Sequence, residues 1–173
     1  MTNTFGSLYR QKRIVWTHIA LEAEDQLRQR VAWALSQIIV VSTKDINRSR
    51  GTTEIFLVFY DIFVRHAFGN YRNILKEVSY NPIMAEMLTY YDSKSTGFEF
   101  IDKQELRYPD ENYAREIMQL FTIGMYKLKS NGQKVLNSKG EPELVYSNED
   151  IVEYARAWTG FKAQTLRGNV EVD

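Results

Sequence analysis

The segment from Ile55 to Val64 constrains the fold more than any other part of the chain, because it is apolar on nearly every side. Ile55-Phe56-Leu57-Val58-Phe59 alone would pass for a strand. The pattern runs on through Ile62, Phe63 and Val64, however, beyond ordinary strand length. Thr52 or Thr53 can cap a helix here, Glu54 suits its positive end, and Gly69-Asn70 supplies a stop. A helix apolar all round has to be enclosed by others. The segment therefore predicts a mainly α fold: a multi-helix bundle, with at least five helices packed around a central apolar helix at Ile55–Ala67.

Periodicity places the other helices. Leu27, Val31, Ala34, Leu35, Ile38 and Ile39 recur at three-and-four spacing and predict a helix from about Asp25 to Val41. Residues 1–20 show no clean period, although Trp16, Ile19 and Leu21 can dock on a core. A short helix is expected over Tyr71–Ser79. Asn81-Pro82 opens another, with Asn as N-cap and Pro at the first helical position; its apolar face is Ile83, Met84, Met87, Leu88 and Tyr91. Pro109-Asp110-Glu111 starts the best-defined helix, with a stripe of Tyr113, Ile117, Leu120 and Phe121 ended by Gly124. Strand signals then take over. Turns at Asn131-Gly132 and Lys139-Gly140 separate short alternating runs, predicting a small β-hairpin or meander at about 126–146. Ser147-Asn148-Glu149-Asp150 reads as a capping box for a last helix through Trp158. With no internal repeat or long linker evident, residues 1–173 read as a single helical domain carrying the 126–146 hairpin.

Composition excludes several function classes. Twenty-two Lys and Arg balance 22 Asp and Glu, so the electrostatic footprint of a nucleic-acid binder is missing. A hydrophobic content of 44% is ample to offset the entropy of ordering a core. Cysteine is absent, which removes disulfide and thiolate–metal frameworks. No apolar run approaches the ~20 residues of a membrane span. The chain has two histidines, His18 and His66, and neither a glycine-rich phosphate loop nor a His-Glu-x-x-His helix. No metal and no cofactor are expected on that basis.

The most informative polar segment is Asp110 to Glu116. On a helix, Asn112, Arg115, Glu116 and Gln119 form one stripe, and Glu111 precedes Arg115 by four residues in the favourable order. Three readings are open: a helix presenting amide, guanidinium and carboxylate to a ligand; an ordinary solvated face; or a buried network joining helices. His66 is a candidate acid/base by its ordinary pKa, or equally a satisfied core residue. Arg28 is either an anion ligand or a cap on a neighbouring helix. Arg156 can reach Glu111 or Glu116 if its helix runs antiparallel beside theirs. Asn47-Arg48-Ser49 is a formal glycosylation sequon, for which chance suffices.

Four segments together carry a family resemblance. They are Gln26-Leu27-Arg28-Gln29-Arg30-Val31-Ala32-Trp33-Ala34-Leu35-Ser36-Gln37, Arg65-His66-Ala67-Phe68-Gly69-Asn70-Tyr71-Arg72, the run from Pro109 to Gly124, and the run from Glu149 to Phe161. In type and order they resemble the bacterial domain-of-unknown-function family eighteen-hundred. The resemblance implies a central fragment of a longer, exported protein. It also implies a gene neighbour related to alkaline phosphatases and sulfatases. It brings no assigned activity or catalytic residue. Two departures stand out: Phe161 where the pattern has Trp, and Phe121 where it has His, which removes an imidazole from beside the polar stripe.

Two functions compete. The first is a helical scaffold or binding domain acting with a partner protein, a phosphatase- or sulfatase-like protein encoded nearby. The second is a hydrolase acting on an anionic or carbohydrate-like substrate. It would use Glu111, Glu116 or His66 as acid/base, with Asn112, Arg115, Arg28 and Arg156 holding the ligand. A glycosidase needs two carboxyls roughly 5–10 Å apart across an open cleft.

Overall fold

The computed structural model describes residues 8–42 and 52–162, except the side chains of residues 8–12 and 52–54. The caps expected at Thr52 or Thr53, the role of Glu54 and the Asn47-Arg48-Ser49 triplet lie outside the described residues. The chain is mainly helical, with eight α-helices among the described residues. It divides into two compact units, Met1–Met87 and Leu88–Asp173. No described helix is long and apolar enough to cross a membrane.

The first unit holds α1 (Leu8–Glu22), α2 (Gln26–Ser36), α3 (Thr52–Arg65), α4 (Tyr71–Ser79) and α5 (Pro82–Met87). Within it α3 packs against each of the other four. Phe56, Phe59, Ile62 and Phe63 are buried along α3, meeting Ile74 and Val78 of α4 and Ile83 and Met84 of α5 in the buried set. Local chemistry starts the helices. The Asn70 side chain accepts the Arg72 N–H at the head of α4, so the residue expected to stop α3 also starts its successor. Asn81 Oδ1 accepts the Ile83 N–H across Pro82 at 3.0 Å. The N-terminal stretch without a clean period is helical as α1, with the rings of Trp16 and Trp33 of α2 4.4 Å apart.

Two apolar faces differ from expectation. α2 ends at Ser36, short of Val41. Leu27, Ala34 and Ile38 face solvent, whereas Arg28, Val31, Ala32, Leu35 and Ile39 turn inward. The cause is Arg28, which scores as polar yet lies on the inner face. Its guanidinium sits over the Phe68 ring and donates to the Val64 carbonyl at the end of α3, so its stem packs while its head caps. After α5 the register also shifts. Thr89 adopts φ 60°, ending the helical path, and Tyr90 rather than Tyr91 is fully buried.

The second unit holds α6 (Thr96–Lys103), α7 (Asn112–Gln119) and α8 (Asn148–Ala155), with a 3-10 turn at Arg156–Trp158. α7 packs on α8 through Ala114, Ile151 and Ala155, joined by Met118, Tyr146 and Trp158. Leu120, expected in the α7 stripe, is exposed, and Phe121 is buried in its stead, because the helix ends at Gln119 and the chain turns towards Gly124. Ser147 and Asp150 form the capping box of α8. The Ser147 backbone N–H and hydroxyl hold the Asp150 carboxyl below its usual range.

Residues 126–146 form no sheet; they make isolated antiparallel bridges between Tyr126 and Leu144, Leu128 and Lys134, and Leu136 and Pro142. The reason is a closed cycle. Lys127 N–H donates to Glu143, Glu143 N–H to Val135, and Val135 N–H to Lys127, at 3.0, 2.9 and 2.9 Å. Each segment turns its donor to one neighbour and its acceptor to the other, so no two-strand ladder can grow. An eight-residue repeat, unnoticed in the sequence, underlies the cycle: Lys127, Val135 and Glu143 are equivalent, as are Leu128, Leu136 and Leu144. Gly132 and Gly140, at φ 82° and 79°, make the two returns.

Phe63 is wholly buried in α3 and Val58, on the same helix, is half exposed. Phe63→Ala is expected to cost about 3–5 kcal/mol, and Val58→Ala under about 1 kcal/mol, by urea unfolding followed by circular dichroism.

Candidate functional site

In the first unit the polar chemistry gathers where α3 meets α4. His66 follows the last residue of α3, and its Nε2 lies 2.5 Å from Glu77 Oε1 of α4. Arg65 pairs with the other Glu77 oxygen and, at 3.0 Å, with Asp61. Hydrogen bonding to His66, then to Arg65, holds the Glu77 carboxyl below its ordinary range. The Asp61–Arg65 pair, four residues apart on α3, is thus one edge of a four-residue cluster. Glu77 carried no sequence signal, since its partner lies on another helix. Arg28 takes the carbonyl end of α3 as described. An apolar groove of about 450 Å³, lined by Trp16, Trp33, Phe56, Leu57 and Tyr60 among others, opens elsewhere in this unit.

In the second unit the chain entering α7 is held by side chains. Asp110 Oδ1 accepts the Asn112 N–H at 2.9 Å and the Thr89 hydroxyl at 2.8 Å. The Asn112 amide donates to Thr89 Oγ1 at 3.4 Å, and the Asp110 N–H to Ser93 Oγ at 3.2 Å. Further along, Arg115 Nη2 donates to Glu111 Oε2 at 2.7 Å and to Asn148 Oδ1 of α8 at 3.0 Å. The polar stripe is therefore a half-exposed tie between helices, neither a solvated face nor a buried network. Glu116, a turn after Asn112, is half-buried. Arg156 pairs with Glu153 at 3.1 Å, three residues before it; Glu111 has its arginine in Arg115.

Beside the Asp110 network lies a polar cleft of about 240 Å³. Thr89, Asp92, Lys94, Arg107, Tyr108 and Asp110 line it, with Tyr91, Ser93 and Glu99. Its wall is pinned at the other end, where Asp92 N–H donates to the Phe161 carbonyl and Gly160 N–H to the Ser93 carbonyl. Thr89 and Asp92 both hold φ 60°, a conformation that costs a β-branched residue on the order of 1–3 kcal/mol. Glu99 of α6 is nine-tenths buried, with Lys103 at 3.2 Å and Lys94 at 3.8 Å; the Lys103 hydrogen bond, more than the surrounding charges, lowers its pKa. Sequence reasoning missed this cleft, because its residues come from a loop and a segment without a clear period. Neither of the two cavities just described takes in His66, Glu111 or Glu116.

Glu77 binds its proton more weakly in the folded chain than in the unfolded one. Its stabilising contribution is therefore complete above the ordinary carboxylate pKa and is lost as pH falls through that range towards the lowered value. Since the Glu77 side chain is more than a third exposed, Glu77→Gln is expected to cost only about 1 kcal/mol at neutral pH. The gap between the urea midpoints of the two proteins should narrow as pH falls below the ordinary carboxylate range; a gap of unchanged size there would refute the pairing.

Comparison with curated proteins and with solved structures finds no match. The model of the family described as protein of unknown function (DUF1800) matches residues 2–172, in keeping with the resemblance drawn from the four segments, and the chain belongs to that family.

Proposed function

We propose that this chain is a helical binding domain that works with a partner protein, docking through the three-leucine face of the 126–146 segment. The observation that carries the reading is the exposure of Leu128, Leu136 and Leu144, each more than half open to solvent. They hold equivalent places in a cycle closed by backbone hydrogen bonds. Loose loops do not fix leucines in water, and an apolar centre inside a charged rim is the anatomy of a docking surface. Charged side chains belong to the same segment: Lys127 pairs with Glu143 at 3.0 Å, and the Lys134 ammonium sits 3.8 Å from the centre of the Tyr126 ring.

Two of the residues on which the hydrolase reading depends already have partners inside the fold: Glu111 in Arg115 and His66 in Glu77. That favours the binding reading. The family resemblance supplies the class of partner, a phosphatase- or sulfatase-like protein encoded beside this one, and an exported setting for both.

Binding of the chain to that neighbouring protein, by isothermal calorimetry at micromolar concentrations, tests the reading. Replacing all three leucines with Lys is expected to weaken binding by at least about 1.4 kcal/mol, or tenfold, while circular dichroism stays unchanged because the side chains are exposed. Absence of a complex, or a complex indifferent to the substitutions, would overturn it.

A further inference from the structure

The cleft beside the Asp110 network stands apart from the docking face, and its chemistry points to a ligand of its own. We propose that it binds a single sugar ring, as a neutral, polyhydroxylated ligand. The charge pattern selects neutrality. Asp92 and Asp110 repel an anion and Arg107 repels a cation, while Glu99 and Lys94 offset each other, all of them lining the same space. A ligand without net charge that both donates and accepts many hydrogen bonds satisfies the two sets together. Hydroxyl groups do this: they donate to the carboxylates and accept from the guanidinium and ammonium.

Size and aromatic content narrow the class further. At about 240 Å³ the cleft falls below the ~300 Å³ at which sites for drug-sized ligands begin, which suits one ring rather than an extended chain. Tyr91 and Tyr108 line it, and Tyr108 is more than half exposed. A pyranose presents a face of C–H groups that packs on such a ring, while the phenol hydroxyls reach its oxygens. The site is also built rather than incidental. Its lining includes a carboxylate nine-tenths buried, Glu99, and its wall is pinned to both the start of α7 and the residues after α8. Such a frame holds acceptors in place before a ligand arrives, which lowers the ordering cost of binding.

The test is saturation-transfer NMR on the full chain with glucose, galactose and N-acetylglucosamine, with inorganic phosphate and calcium chloride titrated in parallel. At least one sugar is expected to bind with a dissociation constant on the order of 1 mM. Asp92→Asn keeps the left-handed backbone, which Asn tolerates, and removes the charge; Tyr108→Ala removes an exposed ring face. Each is expected to weaken binding at least about tenfold. Asp102→Asn, on α6 outside the lining, should leave it unchanged. Silence from all three sugars, sugar binding indifferent to both cleft variants, or phosphate or calcium binding that those variants abolish would each overturn the proposal. None of these outcomes touches the three-leucine face, so the two readings fail separately.

Discussion

The close approach of α7 and α8 organises the second unit. Two alanines, Ala114 and Ala155, pack with Ile151 at the contact between the helices. The surrounding polar chemistry depends on that approach. Arg115 reaches Asn148 because the helices are near, and the same arginine then holds Glu111 back along its own helix. Above the contact, Tyr113 and Trp158 meet edge to face at 4.6 Å, with Tyr90 4.6 Å from Tyr113 and 5.5 Å from Phe161. Aromatic pairs in such geometry add about 0.5–1.5 kcal/mol each beyond their buried area. Burial, with Tyr113 close by, pushes the Tyr90 phenol far up, so it stays neutral within the cluster.

The first unit solves a different problem. Four helices pack on α3, which keeps Val58 half exposed on its outer side. The cost of ending such a helix inside the fold is a set of carbonyls without helical partners. Arg28 of α2 meets one of them at Val64, and His66, Arg65 and Glu77 tie the same end to α4. What resembles a reactive cluster is thus well explained as the fastening of a helix terminus.

Features set by neighbours in sequence were legible. Asn81-Pro82 and the Ser147–Asp150 box act as caps because both partners lie within three residues. The helical state of α3 was legible because its apolar run exceeds ordinary strand length. Features set by neighbours in space were not. Arg28 reads as polar on a helical wheel, yet Phe68 and Val64 give it a place inside. Tyr90 and Tyr91 exchange roles because a left-handed Thr89 interrupts the register. The strand signals at 126–146 were sound locally, but a cyclic arrangement of three segments replaced the ladder, and its eight-residue repeat shows only once Leu128, Leu136 and Leu144 are aligned. The cleft was least legible, since Asp92, Lys94, Glu99 and Arg107 converge through backbone turns that no periodicity encodes.

The α7 stripe ties α7 to α8 through Arg115 and Asn148, and the proposed ligand and partner surfaces use other residues. A double-mutant cycle of Arg115→Ala and Asn148→Ala, read by urea unfolding, tests this most directly. The expected result is a coupling energy of about 0.5–3 kcal/mol, as for residues in one hydrogen-bonded network. Strict additivity of the two substitutions, within about 0.3 kcal/mol, would contradict it and return the stripe to the solvent or to a ligand.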